Sequence, residues 1–326
     1  MSIISNCTAT AIKEAAAALI KGDLVAFPTE TVYGLGADAT NKEAVRRIYE
    51  VKGRPVGHPV IVHISSISNL DKWARGIPEY AFKLARNFWP GPMTLILPRS
   101  NIAKNFITGG QDNVGIRVPS HIVALELLKK FESLGGLGVA APSANRFGAV
   151  SPTTARAVED ELASFLSETD QILDGGACLV GVESTIIDCT QVKPSILRPG
   201  AITKEMVEDA LHIFIDISIS STESKQIKAS GLLESHYAPK AKVFLTGSPT
   251  KGDALLALDS FDTPLGVIRL ASPKSNEDYA RLLYEAFRLA DSKGVKSIFV
   301  IPPIGDGIAI AINDRLARSA SNYEHT

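Results

Sequence analysis

Two cationic side chains flank a glycine in Lys52-Gly53-Arg54-Pro55. Because proline disfavours helical backbone in the residue before it, we expect Arg54 to lie in extended chain, so that both side chains can point the same way. The planar fork of an arginine beside the point charge of a lysine suits a polyphosphate. A solvated basic loop without a ligand is the alternative.

A third cation lies in a predicted β-strand. Strict alternation places Val114, Ile116 and Val118 on one face of this strand. Arg117 therefore lies on the opposite face, beside Gly115. An arginine held in a sheet next to a glycine can bind an anionic group, and a solvent-facing arginine is the alternative.

Small polar residues follow short apolar runs at further points of the chain. They occur in residues 28–36 (PTETVYGLG), 141–145 (APSAN), 181–185 (GVEST) and 198–200 (RPG). In open α/β sheets, ligands bind at the carboxyl ends of strands, so these hydroxyl, amide and charged groups are candidate ligand contacts. Plain polar turns are the alternative.

Ser151 and Pro152 precede a helical pattern over residues 155–166. Serine is a favoured N-cap and proline a favoured first helical residue, so we predict that Ser151 caps this helix. Because a helix N-terminus also attracts phosphate, Ser151 is a candidate ligand residue as well.

Several familiar sites have no counterpart in the sequence. There is no P-loop, GxSxG or GxGxxG motif, so ATP would have to be held by cationic side chains and small hydroxyl groups. His58 and His63 do not have zinc-pair spacing and fit ligand hydrogen bonding or surface placement better. Cys7, Cys178 and Cys189 show no CxxC spacing. We therefore expect no disulfide framework and no metal ligated directly by protein side chains.

The elements that must position these groups are helices and short apolar runs. In the first helix, apolar residues recur at i, i+3, i+4, i+7 and i+8 from Ile12, with Thr10 as the predicted N-cap and Gly22 as the stop. The apolar run at residues 24–27 follows as a buried strand. The pattern predicts an α/β fold in which helices cover one twisted open sheet.

The composition changes after about residue 210. Residues 218–235 are rich in Ser, Lys, Glu and Thr, which predicts an exposed linker. Beyond it, strand patterns near residues 243–245, 267–270 and 297–301 alternate with helices and predict a small parallel sheet. We divide the chain into a first domain (1–210), a linker (211–240) and a smaller C-terminal α/β domain (241–326).

Charge and composition limit the classes of function. The 326 residues include 34 Lys and Arg against 35 Asp and Glu, so the chain has no global attraction for nucleic acid or anionic membrane. The sequence has no secretory leader and no run of about 18 apolar residues. We expect a soluble, cytoplasmic protein without membrane contact, in which any RNA contact needs a local basic patch.

Ordered strings between about Pro28 and Thr203 resemble the YrdC family of threonylcarbamoyl-AMP synthases. They are PTETVYGLGADA, KGRPVGHPVIVH, WPGPMTLIL, TGGQDNVGIRVP, APSANRFGAVSPTTA, DGGACLVGVESTIID and ILRPGAIT. The strings HYAP at 236–239 and AINDRL at 311–316 are similar to the second domain of the longer members.

The resemblance implies a twisted open mixed sheet with a concave, positively charged face and a Rossmann-like second domain. It implies a nucleotidyltransferase that makes L-threonylcarbamoyl-AMP from L-threonine, bicarbonate and ATP with release of pyrophosphate. This is the first step of tRNA N6-threonylcarbamoyladenosine modification. Mg²⁺ would arrive with the ATP phosphates. The product would pass to the tRNA threonylcarbamoyl-transfer machinery, with at most a weak contact to tRNA itself.

The matched motifs also imply roles for individual residues. The implied catalytic residues are Lys52, Arg54 and Arg117. The implied ATP-binding residues are Arg54, His58, Asn113, Ser143, Asn145, Ser151, Arg198, His236 and Tyr237. The implied threonine-binding residues are Thr31, His63, Arg117, Ala141 and Ser184.

The linker departs from the family pattern. Longer members carry Ser-Pro-Gly shortly before Arg-His-Tyr, whereas residues 229–231 are Ala-Ser-Gly and Ser235 precedes His236. The resemblance implies a linker that folds over the active site, and we predict this closure through His236 and Tyr237. Because the proline that would restrict the open chain is missing, we expect a looser closed state.

Two alternatives stay open at this point. A carbamoyl-transfer module would carry zinc-finger cysteines or large additional catalytic domains, and this chain has neither. A non-catalytic RNA-binding protein would use a basic concave face with stacking aromatics, but aromatic residues make up only 6%. Salt-dependent RNA binding without ATP turnover would favour the second alternative.

Overall fold

The computed structural model describes residues 4–217, 227 and 237–320. This part of the chain forms one large sheet and one small sheet, with helices packed on both. The strands of the large sheet are β1 (Ile4–Asn6), β2 (Val25–Phe27), β3 (Gly34–Asp38), β4 (Ile61–His63), β5 (Met93–Pro98), β6 (Asn113–Arg117), β7 (Val139–Ala140), β8 (Gln171–Asp174), β9 (Thr185–Asp188), β10 (Ser195–Arg198) and β11 (Asp216–Ile217).

The large sheet has the strand order β1-β8-β2-β3-β7-β4-β6-β5-β9-β10-β11. β4 pairs with β6 and β5 with β9 in parallel, whereas β2–β3 and β5–β6 are antiparallel. The predicted mixed sheet is therefore confirmed. The α-helices are α1 (Ala9–Lys21), α2 (Lys42–Lys52), α3 (Leu70–Trp73), α4 (Glu79–Phe88), α5 (Asn105–Thr108), α6 (Ile122–Ser133), α7 (Ala155–Leu162), α8 (Lys204–Leu211), α9 (Asn276–Ser292) and α10 (Ile308–Ala320).

Side chains of the large sheet alternate between two hydrophobic cores. Val25 and Phe27 of β2 belong to the core formed with α1 and α6, while Ala26 belongs to the larger core on the other face. In β6, Val114 and Ile116 belong to that larger core, as the alternation predicts. The opposite face of β6 is thereby directed away from the larger core.

The first helix begins earlier than predicted. Thr8, not Thr10, is its N-cap, because the Thr8 hydroxyl accepts a hydrogen bond from the amide of Ala11 at 3.1 Å. The predicted stop is confirmed: Gly22 ends the helix in the left-handed conformation with a φ of 93°.

The helix predicted over residues 155–166 is shorter, and its predicted cap is wrong. The N-cap of α7 is Thr154, whose hydroxyl accepts a hydrogen bond from the amide of Ala157 at 3.2 Å. Ser151 instead donates to a carboxylate oxygen of Glu183 at 2.7 Å. Because hydrogen bonds to an ionised acceptor are stronger than neutral ones, the Ser151 hydroxyl bonds to the buried carboxylate of Glu183 and not to the end of the helix.

The small sheet is parallel and has the strand order β12-β15-β13-β14. Its strands are β12 (Lys242–Phe244), β13 (Ala254–Leu256), β14 (Ile268–Ala271) and β15 (Ser297–Val300). It packs with α9 and α10 around a separate core, which confirms the predicted small parallel α/β unit. β13 was not predicted. No helix in residues 4–217 or 237–320 has the length and apolar character needed to cross a membrane.

Candidate active site

A cavity on one face of the large sheet brings together residues from six separate sequence segments, together with Tyr237. It is lined by Thr29, Thr31, Val32, Tyr33, Gly34, Arg54, Ile61, His63, Arg117, Ala141, Pro142, Ser143, Glu183, Ser184, Arg198 and Tyr237. The predicted residues in this lining are Thr31, Arg54, His63, Arg117, Ala141, Ser143, Ser184, Arg198 and Tyr237. The site therefore has mixed polar and cationic walls.

The register of two parallel strands sets the floor of the cavity. His63 of β4 pairs with Arg117 of β6, and Ile61 pairs with Gly115. Residues two apart on a strand share a face, so these four residues lie on the face opposite to Ile116. The prediction that Arg117 and Gly115 share a face is confirmed.

Arg117 is held by Glu30, the carboxylate of the PTETVYGLG segment, which the sequence offered as a ligand contact and not as a partner for Arg117. Its guanidinium donates to Glu30 Oε1 at 2.6 Å, and Glu30 Oε2 accepts the amide of Ser120 at 3.0 Å. Only 6% of the Arg117 side chain and 8% of the Glu30 side chain are exposed. Arg117 Nε finds no acceptor within residues 4–217 and 237–320. An oriented guanidinium with a spare donor is suited to binding a carboxylate.

His63 is a neutral group of this site. Burial, followed by the nearby charge of Arg117, lowers its pKa to about 3. Its ring lies edge-on to Phe27, with ring centroids 6.1 Å apart. His63 therefore offers hydrogen bonding but no positive charge at physiological pH.

Arg54 and His58 are joined through one aromatic ring. The Arg54 guanidinium lies 5.8 Å from the ring centre of Phe147, and His58 lies edge-on to the same ring at 5.7 Å. Arg54 also donates to the carbonyl of Pro59 at 3.1 Å. Arg54 lines the cavity, whereas His58 lies behind it.

Lys52 and Arg54 do not point the same way, so that prediction is wrong. Lys52 is still the last residue of α2, and Gly53 reverses the chain in the left-handed conformation with a φ of 61°. Lys52 Nζ donates to the carbonyl oxygens of Ser143 (2.6 Å) and Asn145. Its ammonium is buried, so burial and then the charge of Arg54 hold its pKa well below the usual value. Lys52 thus supports the loop that carries Ser143 rather than lining the cavity.

Other predicted site residues also lie outside the lining. The Asn145 amide donates to the carbonyls of Arg146 and Ala149 at 2.8 and 2.7 Å, so it shapes its own loop. Asn113 begins β6 opposite Pro98. Ser151 contacts the cavity through Glu183, as described above. His236 lies outside the described residues.

Arg198 and Ser184 form one hydrogen-bonded unit. Arg198 donates from Nε and a terminal nitrogen to the Ser184 carbonyl at 3.1 and 2.8 Å, and to the Ser184 hydroxyl at 3.1 Å. That hydroxyl also lies 2.8 Å from the hydroxyl of Thr94 in β5. Burial lowers the pKa of Arg198, which nevertheless stays charged because arginine remains protonated in proteins.

Glu183 joins the two units of the protein, a role that the sequence reasoning did not predict for the GVEST segment. It accepts hydrogen bonds from Ser151 (2.7 Å), from Tyr284 in α9 (3.0 and 3.1 Å) and from Arg315 in α10 (2.8 Å). Burial alone would raise its pKa, but the charges of Arg315 and Arg198 and the hydrogen bonds hold it at about 2. Glu183 is therefore a carboxylate whose charge is balanced by arginines.

The cavity has an excess of positive charge. Arg54, Arg117 and Arg198 line it, while Glu183 is its only lining carboxylate among the described residues. Within residues 4–217 and 237–320, no group of three or more His, Cys, Asp or Glu side chains could hold a metal ion. The arrangement suits polyanionic and carboxylate ligands bound through arginines.

Known proteins share this architecture over nearly the whole chain. The Sua5/YciO/YrdC family, described as Telomere recombination, matches residues 17–200, and the Threonylcarbamoyl-AMP synthase C-terminal domain matches residues 202–321. The threonylcarbamoyl-AMP synthases of Pyrococcus abyssi and Bacillus subtilis are 40% and 39% identical to it. These matches cover 96% and 95% of this chain and 94% and 92% of the relatives.

A solved structure agrees with these relatives. The crystal structure of P. abyssi Sua5 in complex with L-threonine has a TM-score of 0.87 and 38% identity, with 98% of each chain covered. A large mixed sheet with an arginine-lined cavity, followed by a small parallel domain, defines the chain as a two-domain nucleotidyltransferase. Both halves match the same kind of protein along their full length. The chain belongs to the Sua5/YrdC family of threonylcarbamoyl-AMP synthases.

Proposed function

We propose that this protein joins L-threonine, bicarbonate and ATP to form L-threonylcarbamoyl-AMP, with release of pyrophosphate. The observation that carries the proposal is the convergence of Arg54, Arg117 and Arg198 in one cavity. Each is buried, and each donates to a carbonyl or carboxylate oxygen of the protein. Donors fixed in this way need little reorganisation when charge develops in the transition state.

The reaction requires positioning and charge stabilisation rather than a covalent nucleophile. The threonine amine captures carbon dioxide, supplied by bicarbonate with loss of water, and forms a carbamate. A carbamate oxygen then attacks the α-phosphorus of ATP, and the bond from that phosphorus to the β-bridging oxygen breaks. Pyrophosphate leaves with the bridging oxygen and its electron pair.

The threonine side of the cavity is built around Arg117. Its spare Nε binds the threonine carboxylate, while Glu30 keeps the guanidinium in place. Neutral His63 supplies hydrogen bonding without adding charge. The lining residues Thr31, Ala141 and Ser184 complete this side.

The ATP side of the cavity is built around Arg54 and Arg198. Ser143 lines the cavity beside them, on the loop that Lys52 supports. His58, Asn145 and Ser151 act from behind the lining, and Asn113 contributes through its backbone at the start of β6. Mg²⁺ enters as part of the Mg–ATP substrate, with the phosphate oxygens as its main ligands.

The product is an activated carbamoyl donor. We assign its use to the tRNA threonylcarbamoyl-transfer machinery in the cytoplasm, which carries the group to the N6 atom of an adenosine. A net charge of -1 supports no more than a weak contact between this protein and tRNA itself.

The first test is pyrophosphate release from Mg–ATP by the purified full chain. Threonine and bicarbonate are each supplied or withheld. We expect release only when both are present, because the nucleophile is the carbamate that they form together. Release that is independent of threonine, or no release from folded protein, would contradict the proposed function.

The linker forms part of the proposal through Tyr237. This residue lines the cavity in a left-handed conformation with a φ of 64°, and its ring stacks on Tyr284 at 5.8 Å. We infer that the adjoining linker, with His236, closes over the bound substrates. Limited proteolysis should then cleave residues 218–236 more slowly when ATP and threonine are added. Equal cleavage rates with and without the two substrates would argue against closure.

A further inference from the structure

One wall of the cavity is completed by two side chains of the second unit. Tyr284 donates to both carboxylate oxygens of Glu183, and Arg315 Nε donates to Glu183 Oε2 at 2.8 Å. A terminal nitrogen of Arg315 donates to the carbonyl of Pro199 at 3.0 Å. Its guanidinium also lies 5.4 Å from the ring centre of Tyr237. Arg315 is thus in contact with two residues of the cavity lining.

This contact is shielded from water. Arg315 is 0% exposed, although it carries a charge. Val32, Val150 and Val182 of the first unit belong to the hydrophobic core of the second unit, which also contains Leu316 next to Arg315. In such surroundings a charge is weakly screened, so an unbalanced carboxylate would act strongly on any anion nearby.

The charges around Glu183 are balanced in pairs. Asp314 also contacts Arg315, but Arg318 supplies Asp314 with a second positive partner at 2.9 Å. Arg315 and Arg318 together therefore match Glu183 and Asp314. Removing Arg315 would leave the Glu183 carboxylate without the arginine that is hydrogen-bonded to it, and with only the nearby charge of Arg198 to balance it in part.

We propose that Arg315 is a positioning residue of the second unit, which neutralises Glu183 and so allows a polyphosphate to enter the cavity. The inference rests on the proposed function. Arg315 touches no reacting atom; it acts through Glu183, Tyr237 and the carbonyl of Pro199. ATP is a multiply charged anion, whereas threonine is a zwitterion without net charge. The effect of Arg315 should therefore fall mainly on ATP.

The test compares Arg315→Met, Arg315→Lys and Arg315→Met with Glu183→Gln in the full chain. Pyrophosphate release gives KM for each substrate, and calorimetry gives the Kd for Mg–ATP. We expect Arg315→Met to weaken ATP binding about tenfold or more while KM for threonine changes much less. Arg315→Lys keeps the charge and should stay nearer to the wild type. Arg281→Met, an exposed arginine of α9 paired with Asp278, is the matched control and should leave both constants unchanged.

The double variant separates charge from packing. Because Glu183→Gln removes the carboxylate that Arg315→Met exposes, it should restore ATP binding to within about threefold of wild type. Weak ATP binding in the double variant, or equal losses for ATP and threonine in Arg315→Met, would overturn the inference. If Arg315→Met does not fold, the double variant, which removes both charges of the Arg315–Glu183 pair, decides by itself. A wild type that binds ATP but releases no pyrophosphate would instead refute the synthase activity, and the Kd comparison would still test Arg315.

Discussion

Arg117→Ala should strongly reduce both threonine-dependent pyrophosphate release and threonine binding. The variant removes the arginine that we place on the threonine side of the cavity. Within the described residues, the Nε of Arg117 has no protein acceptor and is available to the ligand. Losing one partner of a buried charged hydrogen bond costs about 2–5 kcal/mol, which corresponds to a fall in kcat/KM of about 30-fold to several thousandfold. Threonine-dependent pyrophosphate release and calorimetric threonine titration measure the two losses.

The carboxylate that Arg117 leaves behind must be controlled. Arg117→Ala leaves Glu30 buried without its cation, so part of any loss could come from destabilisation. Adding Glu30→Gln should recover thermal stability but not threonine binding. Arg86→Ala, an exposed arginine of α4, serves as the matched control and should behave as wild type. Recovery of activity in the Arg117→Ala and Glu30→Gln double variant would contradict a direct role for Arg117.

Glu183→Gln should lower the free energy of unfolding at neutral pH. It should also make that free energy less dependent on pH below 4.5. The pKa of Glu183 is about 2 in the folded protein, against an ordinary value of 4.5. A depressed pKa means that the ionised form stabilises the fold above pH 4.5, and that this contribution is lost as the pH falls from 4.5 towards 2. The shift corresponds to about 3 kcal/mol at neutral pH.

Urea unfolding at two pH values measures this contribution. At pH 7 the free energy of unfolding of Glu183→Gln should lie about 3 kcal/mol below that of the wild type. At pH 4 this difference between wild type and variant should be about 1 kcal/mol smaller, because the wild type has begun to lose the stabilisation that ionised Glu183 provides. Glu79→Gln, an exposed carboxylate paired with Arg86, should show almost no gap at either pH. If the difference in unfolding free energy between wild type and Glu183→Gln were the same at pH 7 and pH 4, the depressed pKa of Glu183 would be contradicted.

Local sequence patterns predicted those features of the site that depend on a single strand or helix. The alternation in residues 113–119 placed Arg117 on the correct face of β6, and the period that begins at Ile12 correctly predicted α1. Both depend on periods of two and 3.6 residues, which are visible in the sequence itself. The family strings then added the pairing of Arg54 with Arg198 on the ATP side.

Contacts between distant elements could not be predicted in this way. Glu183 contacts Tyr284 and Arg315 at sequence separations of 101 and 132 residues. The AINDRL string marked Arg315, but no local pattern could pair it with Glu183. Ser151 donates its hydroxyl hydrogen bond to Glu183 and therefore does not cap α7 as predicted. The prediction for Lys52 was wrong for a local reason: Lys52 is the last residue of α2, and Gly53 then turns the chain in the left-handed conformation.

The distribution of the cavity residues along the chain also sets when a working enzyme can exist during translation. β1 pairs with β8, and β5 pairs with β9, so the large sheet cannot close on the ribosome before residue 188 has emerged. Domains fold as units, the N-terminal one first. Arg315 leaves the ribosome long after Glu183, so the Glu183 carboxylate lacks this positive partner until the last helix is made. Nascent chains should therefore not bind ATP tightly until α10 has docked.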